Sequence, residues 1–277
     1  MLCIAATPGK ANNEVRTAQT SPASRGNHDG TNKRQSSVLV SSFGAWPQRR
    51  RKRGHQMSYQ WDFQAVWQYW DLFLYGLWLS VVYTFGSIFF GVLIGFITCA
   101  ARLSGWKALS IAARVYQEIF RCTPLLVQLL WFYYAFPLLV GGSIDNRVAA
   151  MLTLSLYVGA FYAEIFRGGI VSIDRGQREA AAAIGMSPWQ AMTRIVLPQA
   201  LKRMLPSFIN QSVIQFKNTS LVSVISVADL AYMAAVVNGQ TYRPLESYTV
   251  MAALYIAMLL PLTQAADWIE KRLRVSD

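Results

Sequence analysis

Three stretches of this sequence run for about 20 residues or more without a charged side chain: Leu72 to Ala101, Cys122 to Ile144 and Ser247 to Ala266. A hydrocarbon core about 30 Å thick takes about 20 apolar helical residues to cross. In lipid the backbone must satisfy its own hydrogen bonds, so such stretches read as transmembrane helices. Two further apolar stretches carry polar interruptions, Val148 to about Ile170 and Ala200 to about Val237, which brings the expected number of spans to five. With 53% of residues hydrophobic and only 14% charged, the chain is poor in charge for a soluble domain. The expected fold class is an all-α polytopic membrane protein with about five transmembrane helices.

Between the third and fourth of these spans lies Glu179 to Pro198, which is helical in character but too interrupted to cross a membrane. Gln177 to Ile184 is a run of good helix formers, and Gly185 stands where a helix stops in a left-handed backbone conformation. A second helix is signalled at once. Ser187 is an N-cap, Pro188 suits the first helical position, and Gln190 completes an S-x-x-Q capping box. The second helix carries Trp189, Ala191, Met192, Ile195 and Val196, and Pro198 marks the start of the next element. Two short helices meeting at a hard-capped bend make an elbow with a shape suited to being gripped.

The same segment carries a resemblance. Glu179-Ala180-Ala181, three residues, Gly185, nine residues and Ile195-Val196-Leu197-Pro198 resemble the EAA loop of the membrane subunits of bacterial ATP-binding-cassette (ABC) importers. The resemblance implies a cytoplasmic coupling helix that docks on an ATPase subunit through Glu179, Ala180, Ala181, Gly185, Met186, Ser187 and Trp189. Read without it, the elbow is equally a surface helix that joins two spans. Glu118 to Gln128, Ala160 to Ile170 and Lys217 to Ile225 resemble stretches of the polar amino acid branch of that family, although Cys122 stands where Gly or Ser is more usual. The resemblance covers about residues 57–277.

The formal charge of +12 is unevenly spread. Residues 1–56 hold ten Lys or Arg, five of them in the run from Arg49 to Arg53, against only Glu14 and Asp29. This region lacks apolar periodicity and is expected to be a disordered basic extension. It has no continuous apolar run of signal-peptide length. Met57 opens a segment similar to the usual N-terminus of the family, so translation is expected to start there, with 57–277 as the transmembrane domain. Basic residues after the first and third spans and in the tail fall on one side, which places the elbow and the C-terminus in the cytoplasm. Five spans then put the N-terminus outside, where a polybasic arm breaks the rule. Either the arm is untranslated or the count is wrong by one.

Within the spans, Trp61, Trp67, Tyr69 and Trp70 suit an interfacial belt, and Ser87, Gly91 and Gly95 form a small-xxx-small ridge for close helix packing. Glu164 and Arg167, three apart on a helix, can pair, as a structural clamp or as part of a gate, and Arg121 or Glu118 is equally a candidate partner. In the fourth span Ile209, Val213 and Phe216 share one face, with Gln211, Gln215 and Asn218 on the other. Asn210, Lys217 and Thr219 extend the polar side. Such a face meets a partner helix or a watery path, and Lys217 could offset a substrate carboxylate or pair with Glu164 or Asp229. The resemblance puts this helix beside the translocation path, with Asn210, Gln211, Gln215, Lys217, Asn218, Thr219 and Glu164 as its candidate lining.

Other chemistry is poorly represented. No G-x-x-x-x-G-K-[ST] cradles phosphates, both histidines lie in the first 56 residues, and the three cysteines are scattered, so no catalytic or metal residue is assigned and no cofactor is expected on this chain. The resemblance implies a permease subunit of the bacterial cytoplasmic (inner) membrane that imports polar amino acids such as glutamate, glutamine or basic amino acids. The implied partners are ABC ATPase subunits holding ATP and Mg, an external amino acid-binding protein, a second permease subunit (identical or related) and membrane lipid, with no nucleic acid. A channel, a membrane-embedded enzyme reliant on Glu164 and Lys217, and a permease for another small solute are the alternatives.

Overall fold

In the computed structural model the second and fourth apolar runs break at Pro and Ser/Thr positions. The structure describes residues 59–274, and apart from Tyr59 all of them lie in one unit, Gln60–Asp277. The expectations for residues 1–56 and for a start at Met57 lie outside the described residues. No strand occurs among the described residues.

A short turn, α1 (Gln64–Trp67), leads into α2 (Trp70–Leu103), whose 34 residues are about 50 Å long at 1.5 Å per residue. The aromatic entry is built as paired rings, Trp61 on Phe63 and Trp67 on Trp70. Next, α3 (Lys107–Cys122) packs Ala113 and Gln117 inward and ends at Thr123, which precedes Pro124 and is extended (φ −103°, ψ 140°). A residue before proline avoids the helical region, and this break bends the chain by 108° before α4 (Leu125–Leu130). Gln128 closes the gap by donating from Nε2 to the Phe120 and Thr123 carbonyls. The second apolar stretch therefore differs from the expected single run over Cys122–Ile144: α4, a π-helical turn (Trp131–Ala135) and α5 (Phe136–Val140), closed by Gly141 at φ 69°, are sharply bent against α3.

The third span, α6 (Asn146–Val171), is regular and packs along α2. The small ridge makes that approach possible. A Cβ on Gly91 would stand 2.4 Å from Val158 Cγ1, and one on Gly95 would stand 2.8 Å from Tyr162 Cβ. The fourth span departs from the expected Ala200–Val237 helix in two ways. Its helix starts at α8 (Pro188–Ala191) and runs without interruption through a π-helical turn (Met192–Val196) into α9 (Leu197–Asn218). Pro198 thus sits inside a continuing helix instead of opening a new one. Each π turn ends two residues before a proline, Pro137 or Pro198. The widened turn relieves the clash of the ring with the preceding turn and absorbs the missing N–H.

Beyond α9 the helix tightens to a 3₁₀ segment (Thr219–Ile225) and stops at Ser226 (φ 60°). Hydroxyls drive this. Thr219, Ser220 and Ser223 each donate to the carbonyl three residues back, at 2.7, 2.8 and 2.7 Å, and so compete with the ladder. Asn146 seals the free end by donating to the Ile225 and Ser226 carbonyls. Asp229 then caps α10 (Leu230–Thr241), set at 46° to the preceding helix, and α11 (Pro244–Arg274) completes the chain. Three helices are long and apolar enough to cross a membrane, or five spans result if each bent pair is one.

Candidate functional site

The elbow is built from local sequence. Asp174 caps α7 (Arg175–Ala183), two residues ahead of the expected start, by accepting from the Gly176 N–H. At the other end the Gly185 N–H donates to the Ala182 carbonyl and the Met186 N–H to the Ala181 carbonyl, both at 3.0 Å, which is a Schellman closure. Gly185 has φ +80° with open space around the position of a Cβ, so backbone conformation and not packing demands glycine here. Ser187 and Gln190 form the capping box in full, Ser187 N–H to Gln190 Oε1 at 3.0 Å and Gln190 N–H to Ser187 Oγ at 3.3 Å.

The faces of the elbow are distinct. Glu179, Ala180, Gly185, Ser187 and Trp189 are exposed, Met186 is half-buried, and Ala181 is buried beneath the bend. Ile184 and Trp189 are 77% and 76% exposed, an unusual amount of apolar surface for the polar end of a bundle. Behind them, Ile173, Val196, Ala200 and Met204 form a small core under the elbow. Two arginines fasten it to the end of α6. Arg178 donates to the Ile170 carbonyl at 3.0 Å and Arg203 to the Ser172 carbonyl at 2.6 Å.

Glu164, two turns before the end of α6, pairs with Arg167 as the spacing predicts, but the structure brings more to it. Arg102 reaches its Oε2 from the last turn of α2 at 3.0 Å, and Arg121 from the last turn of α3 at 3.9 Å. Gln117 joins the group, accepting from Arg102 and donating to the Ala160 carbonyl at 3.3 Å. Arg102 and Arg121 lie in the last turns of α2 and α3, where a cation is favoured by the unpaired carbonyls. Arg102 and Gln117 were not singled out in the sequence because they come from other helices.

The polar residues of α9 divide. Gln215 is fully buried and bonds across helices, its Nε2 donating to Ser87 Oγ on α2 at 3.0 Å and to the Leu154 carbonyl on α6 at 3.3 Å. Thr219 is also buried and turned back on its own helix. Gln211 is buried with no acceptor for its Nε2, and Asn218 is half-buried. Asn210 and Lys217 are exposed, and with Arg203, Ser207 and Ile214 they form one stripe at intervals of four and three residues. Glu164 shares a cleft with Arg203 and Ser207 at one end of that stripe. No carboxylate lies within ion-pair distance of Lys217 among the described residues, so neither Glu164 nor Asp229 is its partner.

Two buried carboxylates, Asp229 and Glu246, take structural roles that the sequence did not assign to them. Asp229 caps α10 by accepting from the Tyr232 N–H at 2.9 Å, and beside it the Leu230 N–H donates to Ser80 Oγ at 3.1 Å. Glu246, in the first turn of α11, accepts from the Asp62 N–H at 2.9 Å and from Arg243 at 3.4 Å. The alternation of capping residue and helix start at Asp229 was the readable signal; Glu246 and Asp62 stand 184 residues apart and gave none.

Comparison with known proteins adds an independent line. Residues 87–275 match the family of binding-protein-dependent transport system inner membrane components. The glutamine transport system permease protein of Escherichia coli (strain K12) is 37% identical over 221 residues, covering 78% of this chain and 99% of that protein. The arginine transport system permease protein of Bacillus subtilis (strain 168) is 32% identical, covering 78% and 99%. A crystal structure of an amino acid ABC transporter with histidines superposes with a TM-score of 0.73 at 36% identity, covering 77% of this chain and all of that one. The methionine ABC transporter in an inward-facing form, at 22% identity and a TM-score of 0.61, shares the fold. Helices able to span a membrane, an elbow with the EAA spacing and a match over most of the chain lead to one conclusion: this chain belongs to the family of binding-protein-dependent transport system inner membrane components.

Proposed function

We propose that this permease subunit imports polar amino acids, that a separate ATPase drives it through the elbow, and that substrate passes along the exposed stripe of α9. The exposed elbow supports the first contact. Trp189 and Ile184 project from a bend that is capped on both sides and fastened to α6, so a partner gripping them moves a rigid piece. Glu179, Ala180, Gly185, Met186, Ser187 and Trp189 form the docking surface, with Ala181 packing beneath it. ATP and Mg belong to the ATPase. On the charge pattern of the loops, the elbow and the C-terminus face the cytoplasm.

The path reading rests on the stripe Arg203, Ser207, Asn210, Ile214 and Lys217. An ammonium without a carboxylate partner does not face lipid, so the stripe is covered by water and by a second permease subunit, the same chain or a close relative. Lys217 and Asn210, exposed on the stripe, are suited to a substrate carboxylate; the Gln211 amide beside them in sequence is buried and lacks an acceptor. Gln215 holds the helices together instead, and Thr219 bonds back to its own helix. Relatives that carry glutamine and arginine by name suit a common carboxylate-binding element with a variable side-chain site. ATP-driven approach of the ATPase subunits moves the two elbows, and the helix bundles rock between outward and inward openings. An external binding protein delivers the substrate. The chain from Met57 onward is the transport domain.

The test is uptake of labelled glutamine, glutamate and arginine into proteoliposomes holding the chain with the ATPase and binding protein encoded beside it. Uptake of at least one that requires both ATP and the binding protein is expected, with Lys217→Ala lowering it about tenfold. Uptake that proceeds at full rate without ATP would refute the importer and reopen the channel.

A further inference from the structure

A single carboxylate that gathers three guanidinium groups from three helices is more than an intrahelical clamp. Glu164 is that group: Arg102 ends α2, Arg121 ends α3 and Arg167 belongs to α6 itself. An i, i+3 pair with Arg167 alone would satisfy Glu164, and the other two arginines would then need partners elsewhere. Instead their separate helix ends converge on the carboxylate, and Gln117 completes the set by holding both Arg102 and the α6 backbone. Glu164 is 28% exposed and Arg121 and Arg167 are 39% and 30% exposed, while Arg102 at 14% is the least exposed arm and ties the end of α2 to the carboxylate.

The elbow is attached to the same stretch of α6. Arg178, from the first turns of α7, and Arg203, from α9, hold the Ile170 and Ser172 carbonyls, and Gly169 lets α9 come close enough that a Cβ there would meet Met204 Cβ at 3.0 Å. From Glu164 to Ser172 is eight residues, about 12 Å of helix. One short rigid rod therefore carries the elbow at its tip and the ends of α2 and α3 two turns back. We infer that Glu164 is a positioning residue for coupling: it makes the ends of α2 and α3 follow the tip of α6 when the elbow is moved. The network is contiguous and each link is a named contact, so a displacement of the elbow has a continuous route to the ends of α2 and α3, and the uptake-to-hydrolysis ratio tests whether it is used. This rests on the reading of the elbow as the ATPase contact.

The experiment uses the complex of this chain with the ATPase and binding protein encoded beside it, reconstituted in proteoliposomes, with amino acid uptake and ATP hydrolysis measured on the same vesicles. Glu164→Gln is expected to lower the amino acid taken up per ATP hydrolysed about tenfold, Arg121→Gln about two- to threefold, and Glu164→Asp is expected to recover part of the loss. Co-purification of the ATPase should be unchanged in all three. If Glu164→Gln fails to insert, Arg121→Gln, which removes only the outermost arm, decides alone. An unchanged ratio in the variants that insert, or uptake and hydrolysis falling in proportion, would overturn the inference. Failure of the wild-type chain to hold the ATPase would overturn the docking reading first, and with it the premise of the coupling.

Discussion

At the elbow end of the bundle one carboxylate stands among three arginines, whereas at the other end of α2 one arginine stands between two carboxylates. Arg243 reaches Asp62 at 3.7 Å, Glu246 at 3.4 Å and the Gln60 carbonyl at 2.8 Å, which fastens the segment before α1 to the junction of α10 and α11. The two clusters differ in burial as well as in sign. Glu246 is fully buried, while Glu164 is 28% exposed. A buried charge that loses its partner is strongly penalised, so the far-end cluster around Glu246 is a fixture of the fold; Glu164 is partly hydrated, so losing one of its arms costs less stability. Charge excess follows the same division as the loops, positive near the elbow and negative at the far end.

That contrast can be broken by substitution. The largest loss of stability is expected at the far end: Glu246→Ala leaves Arg243 and the Asp62 N–H without their acceptor and should cost about 2 kcal/mol, less than a fully buried pair because Arg243 is itself a third exposed. Thermal unfolding of the purified chain in detergent measures it, and ATPase co-purification at temperatures below the transition should be unaffected. A variant equally stable but uncoupled would reverse the roles of the two ends. Removing residues up to Asp62 should reproduce the destabilisation, whereas a chain started at Met57 should not.

Between the ends, Gln215→Leu removes the amide that joins α2, α6 and α9 and leaves Ser87 without that donor. The expected cost is about 1 kcal/mol, in line with interhelical hydrogen bonds in membranes, read in the same unfolding measurement. If it instead abolished uptake with stability intact, Gln215 would belong to the path after all. The smallest global change is expected at the elbow. Ser187→Ala removes one half of the capping box and should cost about 1 kcal/mol locally, visible as faster amide exchange over 187–191 with no shift in the global transition.

What was readable in advance follows the distance between partners along the chain. The Gly185 turn and the Ser187–Gln190 box are closed by residues a few positions apart, and both are formed as their sequence suggests. The Glu164–Arg167 pair is of the same kind. The sequence offers Arg121, 43 residues from Glu164, only as one alternative partner and does not point to Arg102, 62 residues away, because both lie on helices whose mutual placement is set by packing and not by local pattern. The apolar windows gave the spans but concealed their breaks, because hydropathy is blind to the missing N–H of Pro124 and to the hydroxyls of Thr219, Ser220 and Ser223. For the same reason the amide face of α9 looked uniform. Only the positions of α2 and α6 separate Gln215, taken up in packing, from Asn210 and Lys217, left exposed.

The central claim is that the elbow is where a separate ATPase takes hold. The direct measurement is co-purification of the neighbouring ATPase with the chain in detergent, comparing the wild type with Gly185→Asp, which puts a charged side chain on the exposed bend at φ +80°. The wild type should retain the ATPase and Gly185→Asp should lose it about tenfold or more while inserting normally and unfolding at nearly the same temperature. Equal retention by both would contradict the claim and move the contact elsewhere on the chain.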